Sequence, residues 1–198
     1  MTCGETFGNT PLDPDEALGL IPTHITTMDE LNEWEQANII QAERWAFGRK
    51  RKDVLSLSFL LELHRKMFCD TWGWAGQTRT SEKTVGIAWY QIAEALVNLC
   101  NDAEYWLGND VYSVDEVAAR FHHRLTQIHP FPNGNGRHAR LITDVLLSEY
   151  NRPRFNWGRS DLRRAGTDRE LYIEALRAAD THDFSLLLEF LELEERKG

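Results

Sequence analysis

The sequence predicts an all-α fold: a single helical domain carrying a small β-hairpin flap. Three observations predict it. Apolar residues recur at three- and four-residue spacing along most of the chain. Only residues 79–88, "RTSEKTVGIA", show short β-branched alternation with no helical period. No linker or internal repeat divides the 198 residues, a length that suits one domain with a core of its own.

Residues 1–25 are rich in proline and glycine and read as an extended lead-in; the helical domain is expected over residues 26–198. A first helix is signalled by "TTMDELNEWEQANIIQAERWAF". Thr27 can cap it with Glu30 three residues on, and Leu31, Trp34, Asn38, Ile39 and Ala42 repeat at helical spacing. Gly48 and the run "RKRK" end it, the cations reading as a solvated turn at a helix C-terminus. "SLSFLLELHRKMF" is a second helix. After the expected hairpin come "YQIAEALVNLCNDAEYWL" and "SVDEVAARFHHRLTQI", the latter capped by Ser113 with Glu116 as its box partner. "ARLITDVLLSEY", "DRELYIEALRAAD" and "FSLLLEFLELEER" complete the helical set.

Composition bounds the function. A net charge of −9 disfavours a broad nucleic-acid surface, because phosphates repel an acidic partner. Cys3, Cys69 and Cys100 are few, odd in number and far apart, which fits reduced thiols better than a disulfide framework. The N-terminus shows no signal-peptide pattern, and no segment reaches the roughly 20 apolar residues of a membrane span. The expectation is a cytoplasmic protein with neither a nucleic-acid nor a membrane partner.

Chemistry concentrates in "HPFPNGNGRHAR", residues 129–140. Pro130 stops the preceding helix near Ile128, and a new helix is expected to begin near Gly134 to Gly136. The loop therefore feeds a helix N-terminus, where free N–H groups and the positive dipole end favour an anion. Gly134 and Gly136 let the backbone approach a ligand, and Asn135 between them adds an amide donor. Arg137 and Arg140, three apart, share a helical face and suit a polyphosphate. His129 lies one short loop away and fits a general base. The alternative is a Pro/Gly-rich turn with a surface arginine pair. It explains each feature singly; five features pointing the same way favour the anion site.

The stretch closely resembles the signature of the Fic family, H-P-F-x-[D/E]-G-N-G-R-x-x-R, at eight of its nine specified positions. "EQANIIQA", "LLELH" and "WAGQTRTSEKTVGI" are further family-like segments, so the resemblance is strongest over residues 30–150, and it looks closest to the short stand-alone members called mobile mystery protein B. The resemblance implies transfer of AMP from ATP to a hydroxyl side chain of a target protein. His129 would deprotonate that hydroxyl. Gly134, Asn135 and Gly136 would hold the α-phosphate, and Arg137 and Arg140 the β- and γ-phosphates. The flap, with Arg79, Thr80, Thr84, Val85, Gly86 and Ile87, would pair with the target segment as an added strand. The family's Mg²⁺-binding acid is here Asn133, a neutral amide where magnesium prefers a carboxylate. Gly136 stands where Doc-type kinases of the family carry lysine, which disfavours phosphate transfer.

Many members are silenced by a glutamate in an [S/T]-x-x-x-E-[G/N] helix. Partial matches are Thr26 with Glu30 and Ser185 with Glu189, both also readable as a helix cap plus an exposed acid. An antitoxin-like partner is another source of that glutamate. The resemblance thus leaves two functions open: an AMP-transferring enzyme, or a catalytically weak Fic fold that binds nucleotide or a regulatory partner. His122, His123 and His138 lack acidic or cysteine partners at metal spacing and read as packing residues, the adjacent pair as one buried and one exposed. His64, Trp72, Trp74 and Trp89 likewise read first as packing residues.

Overall fold

The structure, a computed structural model, describes residues 14–158 and 166–192. Within them lie eight α-helices: α1 (Pro14–Ala17), α2 (Met28–Phe47), α3 (Leu57–Phe68), α4 (Ile92–Gly108), α5 (Val114–Ile128), α6 (Asn135–Glu149), α7 (Thr167–Ala179) and α8 (Ser185–Glu192). A 3₁₀ turn at Trp89–Gln91 precedes α4. Helices α2 and α3, α4 and α5, α5 and α6, and α7 and α8 pack as sequential neighbours, and α6 also touches α2 and α3. The fold is all-α, as the periodicity predicts.

Local chemistry sets the helix starts. Thr27 accepts the Glu30 N–H at 3.2 Å while Glu30 accepts the Thr27 N–H at 3.0 Å, a complete capping box. Ser56 and Ser113 cap α3 and α5 through the N–H groups of Phe59 and Glu116. The buried stripe of α2 runs through Leu31, Glu35, Asn38, Ala42 and Ala46. Trp34, expected on the buried face, is 40% exposed, and Glu35 takes the interior place because polar partners wait for it there. The basic turn is not wholly solvated either. Arg51 is buried, donates to the Trp45 carbonyl at 2.7 Å and lies 3.9 Å over the Trp45 ring, so it caps the end of α2.

The main core joins α3, α4, α5 and α6 through residues such as Leu60, Leu63, Leu96, Phe121, Leu125, Ile142 and Leu147. A second cluster, with Tyr172, Ala175, Phe184, Leu187 and Phe190, seats α7 and α8 around Ala119. That cover buries both adjacent histidines of α5: His122 meets the Tyr172 hydroxyl at 2.8 Å, and His123 meets Asp180 at 2.9 Å. The expectation of one exposed histidine fails because α7 and α8 close over the flank of α5.

The predicted hairpin does not form. Residues 79–88 are an irregular loop without strand pairing. Arg79 replaces a ladder: its buried guanidinium donates to the carbonyls of Ser81, Ile87, Ile128 and His129. One charged fork bonding four carbonyls satisfies the turn more fully than a two-stranded pair of this length would. The described end of the lead-in is docked here too. Ile21 N–H donates to Thr71 at 2.9 Å, Gly73 N–H to Gly19 at 2.8 Å, and Glu16 pairs with Lys83. Cys69 and Cys100 are free thiols, and Cys3 lies outside the described residues. No described helix is long and apolar enough to cross a membrane.

Candidate active site

The loop between α5 and α6 is built by two left-handed residues. His129, at φ 52° and ψ 61°, caps α5 and turns the chain out of it, with Pro130 blocking any return to helix. Gly134, at φ 79°, opens α6. A Cβ on Gly134 would sit 2.5 Å from the Phe68 ring, so glycine is required there by packing as well as by backbone geometry. Between them Asn135 locks the loop. Its Oδ1 accepts the Phe131 N–H and its Nδ2 donates to the Phe131 carbonyl, each at 2.8 Å. Phe131 is fully buried and stacks on His64 at 3.6 Å. His64 accepts the Gly76 N–H at Nδ1, which leaves Nε2 to donate to the Asn133 carbonyl at 3.1 Å.

The result is a helix N-terminus at which Gly134 and Asn135 are buried and Gly136 and Arg137 are partly exposed. The first bond within α6 runs from His138 N–H to the Gly134 carbonyl, so the N–H groups of Asn135, Gly136 and Arg137 have no partner within the helix. A Cβ on Gly136 would meet only Arg140, at an ordinary 3.5 Å. Gly136 therefore answers no packing demand, and its bareness keeps the approach to these amides open.

The two arginines are anchored from behind. Arg137 donates to Glu35 at 2.6 Å and lies 4.9 Å over the Phe68 ring. Arg140 bonds the Tyr172 hydroxyl, which reaches on to His122. Nearby, Asp144 is buried with Trp157 donating to both its oxygens, and burial pushes its carboxyl up to about 7.

His129 is held in its neutral form. Burial is the main cause that lowers its imidazole to about 4, and the Arg79 charge adds to it; a bond to the Thr126 carbonyl opposes. The ring is neutral at pH 7, with one nitrogen oriented by that bond.

The structure thus brings His129, Gly134, Gly136, Arg137 and Arg140 around one loop and helix start. It places other expected residues elsewhere. Asn135 spends its amide inside the loop. Arg79 is buried behind the flap, while Thr80, Thr84, Val85 and Gly86 are exposed and Ile87 is half-buried. Glu30 is the capping residue of α2, and Glu189 lies exposed on α8. Asn133 turns its Oδ1 to the Gly134 N–H at 2.6 Å. For magnesium the loop offers one neutral oxygen, already engaged, and the described residues contain no cluster of three or more His, Cys, Asp or Glu placed for a metal. The side chains present do not fit a protein-held Mg²⁺.

Sequence reasoning missed Glu35, Tyr172 and the role of Arg79. For Glu35 a signal existed: "EQANIIQA" was visible as a segment, and a carboxylate one turn before Asn38 on a helix flank invites the question of what it meets.

Comparison with known proteins bears on this geometry. Residues 54–147 match the family model described as the Fic/DOC family. The chain is 31% identical over 102 residues to the protein adenylyltransferase fic-1 of Caenorhabditis elegans, covering 50% of this chain and 20% of that one. It is 29% identical over 135 residues to a probable protein adenylyltransferase of Sinorhizobium fredii, covering 64% and 68%. Among solved structures, BepC of Bartonella tribocorum with bound AMPPNP superposes at a TM-score of 0.66 with 18% identity, over 89% of this chain and 95% of that one. The chain thus spans about a fifth of the C. elegans relative's length, and at 18% identity the Bartonella structure shows a shared fold.

Proposed function

From the premise that this chain carries a Fic/DOC family domain, we propose that it transfers AMP from ATP to a hydroxyl side chain of a target protein. The observation that carries the reading is the partly exposed start of α6, where a bare Gly136 and two arginines surround N–H groups that have no partner within the helix, one loop from a neutral, half-buried His129. Such a helix start is an anion site.

In this reading the amides of Gly136 and Arg137 take the α-phosphate. Arg137 and Arg140 take the β- and γ-phosphates, spreading charge that grows on the departing pyrophosphate. The ring nitrogen of His129 that does not meet the Thr126 carbonyl accepts the target's hydroxyl proton as its oxygen attacks the α-phosphorus, and the bond to pyrophosphate breaks. The exposed residues of the flap, Thr80, Thr84, Val85 and Gly86, present backbone to a target segment, while Arg79 holds the flap to the loop that carries His129. No step runs through a metal held by the protein. Names of relatives support the reaction class, since the C. elegans and Sinorhizobium proteins are both called adenylyltransferases.

The experiment is incubation of the chain with a cell lysate and ATP labelled at either the α- or the γ-phosphate. AMP transfer labels protein from the α position alone. Label from the γ position points to phosphate transfer, and ATP binding without label in either arm points to a nucleotide-binding Fic fold without turnover.

A further inference from the structure

Helix α2 contributes a carboxylate to the arginine cluster, although it lies about a hundred residues from the loop in sequence. Glu35 is 2% exposed and both its oxygens are committed. Oε1 accepts the Trp72 indole N–H at 2.7 Å, and Oε2 accepts the Arg137 guanidinium at 2.6 Å. Trp72 is itself 2% exposed. Its position is fixed by Asn38, one turn on from Glu35, which bonds the Asp70 N–H at 3.0 Å, the Asp70 carboxylate at 2.9 Å and the Thr71 hydroxyl at 3.2 Å. The Phe68 ring closes the other side, touching both Gly134 and the Arg137 guanidinium.

We infer that Glu35 is the positioning residue for Arg137, holding its guanidinium in the orientation that meets a nucleotide phosphate; this rests on the reading that Arg137 binds ATP. Three physical points support it. The ion pair uses one nitrogen of a fork with five N–H donors, so donors remain for phosphate. Releasing Arg137 would strand a buried carboxylate on a single indole donor, which is costly, so the pair persists when a phosphate arrives. A long, flexible side chain fixed in advance loses less freedom on binding than one ordered by the ligand. There is an opposing effect, because the Glu35 charge partly neutralises Arg137 and weakens its pull on phosphate. Which effect wins is measurable.

The test is ATP affinity by calorimetry on the full chain for wild type, Glu35→Ala, Glu35→Gln, Arg137→Ala and the Glu35→Ala/Arg137→Ala double variant. Glutamine can still accept from Arg137 but carries no charge. The expected result is that Arg137→Ala and Glu35→Ala each weaken binding about ten-fold, that the double variant is no weaker than Arg137→Ala alone, and that Glu35→Gln stays within about three-fold of wild type. Thermal melting identifies any Glu35→Ala failure of folding; Trp72→Phe then carries the test. Trp72→Phe frees one carboxylate oxygen and is expected to weaken ATP measurably. Glu35→Ala or, where it does not fold, Trp72→Phe binding ATP as wild type does, or more tightly, while Arg137→Ala binds weakly overturns the positioning role, the tighter case showing that the carboxylate competes with phosphate. If Arg137→Ala leaves affinity unchanged, the phosphate role of Arg137 fails and the inference with it.

Discussion

At the scale of single residues, the two glycines around Asn135 do different work. Gly134 is left-handed and pressed against Phe68, whereas Gly136 is helical and meets only Arg140. Gly134→Ala therefore combines an unfavourable backbone with a clash against a buried ring, and should cost about 2–4 kcal/mol of stability, read as a fall in Tm of roughly 5–15 °C. Gly136→Ala should leave stability unchanged or raise it by about 0.5–1 kcal/mol, since alanine is the better helix former. Its methyl group nevertheless stands at the mouth of the amide site, so ATP affinity should fall. Asn133 is a third case. Its Oδ1 already takes the Gly134 N–H, and aspartate would keep that bond and add a charge at the positive end of α6. Asn133→Asp should raise AMP transfer at Mg²⁺ concentrations on the order of millimolar, with the gain lost in a chelator. Equal activity of variant and wild type across a magnesium titration would show that the side chain serves the loop alone.

At the scale of elements, the flap depends on one arginine where a strand pair was expected. Arg79 bonds four carbonyls from the flap and the His129 loop, and its N–H donates to Pro130 at 2.9 Å. Arg79→Ala leaves buried carbonyls without donors and should lower stability by about 2–4 kcal/mol. It should also loosen residues 79–88, so limited trypsin digestion should cut at Lys83 faster than in the wild type. Unchanged digestion would mean the flap is held mainly by the Glu16–Lys83 pair. The helices themselves were legible in the sequence, because Thr27, Ser56 and Ser113 are chemical start signals and the apolar spacing is regular. The motif loop was legible because Pro130 and Gly134 dictate a break and a restart. The flap was not, since β-branched alternation cannot reveal a distant guanidinium that satisfies the backbone without a ladder. Glu35 on α2 and Tyr172 on α7 were hidden for a related reason. Each acts on the arginine pair through a helix crossing, which local pattern does not encode.

At the scale of the whole molecule, burial of histidines makes stability depend on acid. Burial lowers His122 to about 3 and His129 and His138 to about 4, and carries His64 well below its usual value. Each folded value lies below that of the unfolded chain, near 6.5. The unfolded state therefore binds more protons through this window. The stability is fully present above about pH 6.5 and is lost as pH falls toward 4. Asp144 works in the opposite sense, because its folded value of about 7 exceeds the unfolded one, but it is one group against four. Tm should thus climb between pH 4 and 6.5 and level off above, a profile that differential scanning calorimetry can record; a flat Tm over that range would mean these rings keep water or partners when protonated. The same desolvation leaves His129 neutral at pH 7. The measurement that bears most directly on the central claim is transfer of α-phosphate label from saturating ATP by wild type and His129→Ala. The account predicts strong labelling by the wild type and a fall of about 10²–10⁴-fold in the variant. Labelling retained by His129→Ala would contradict it.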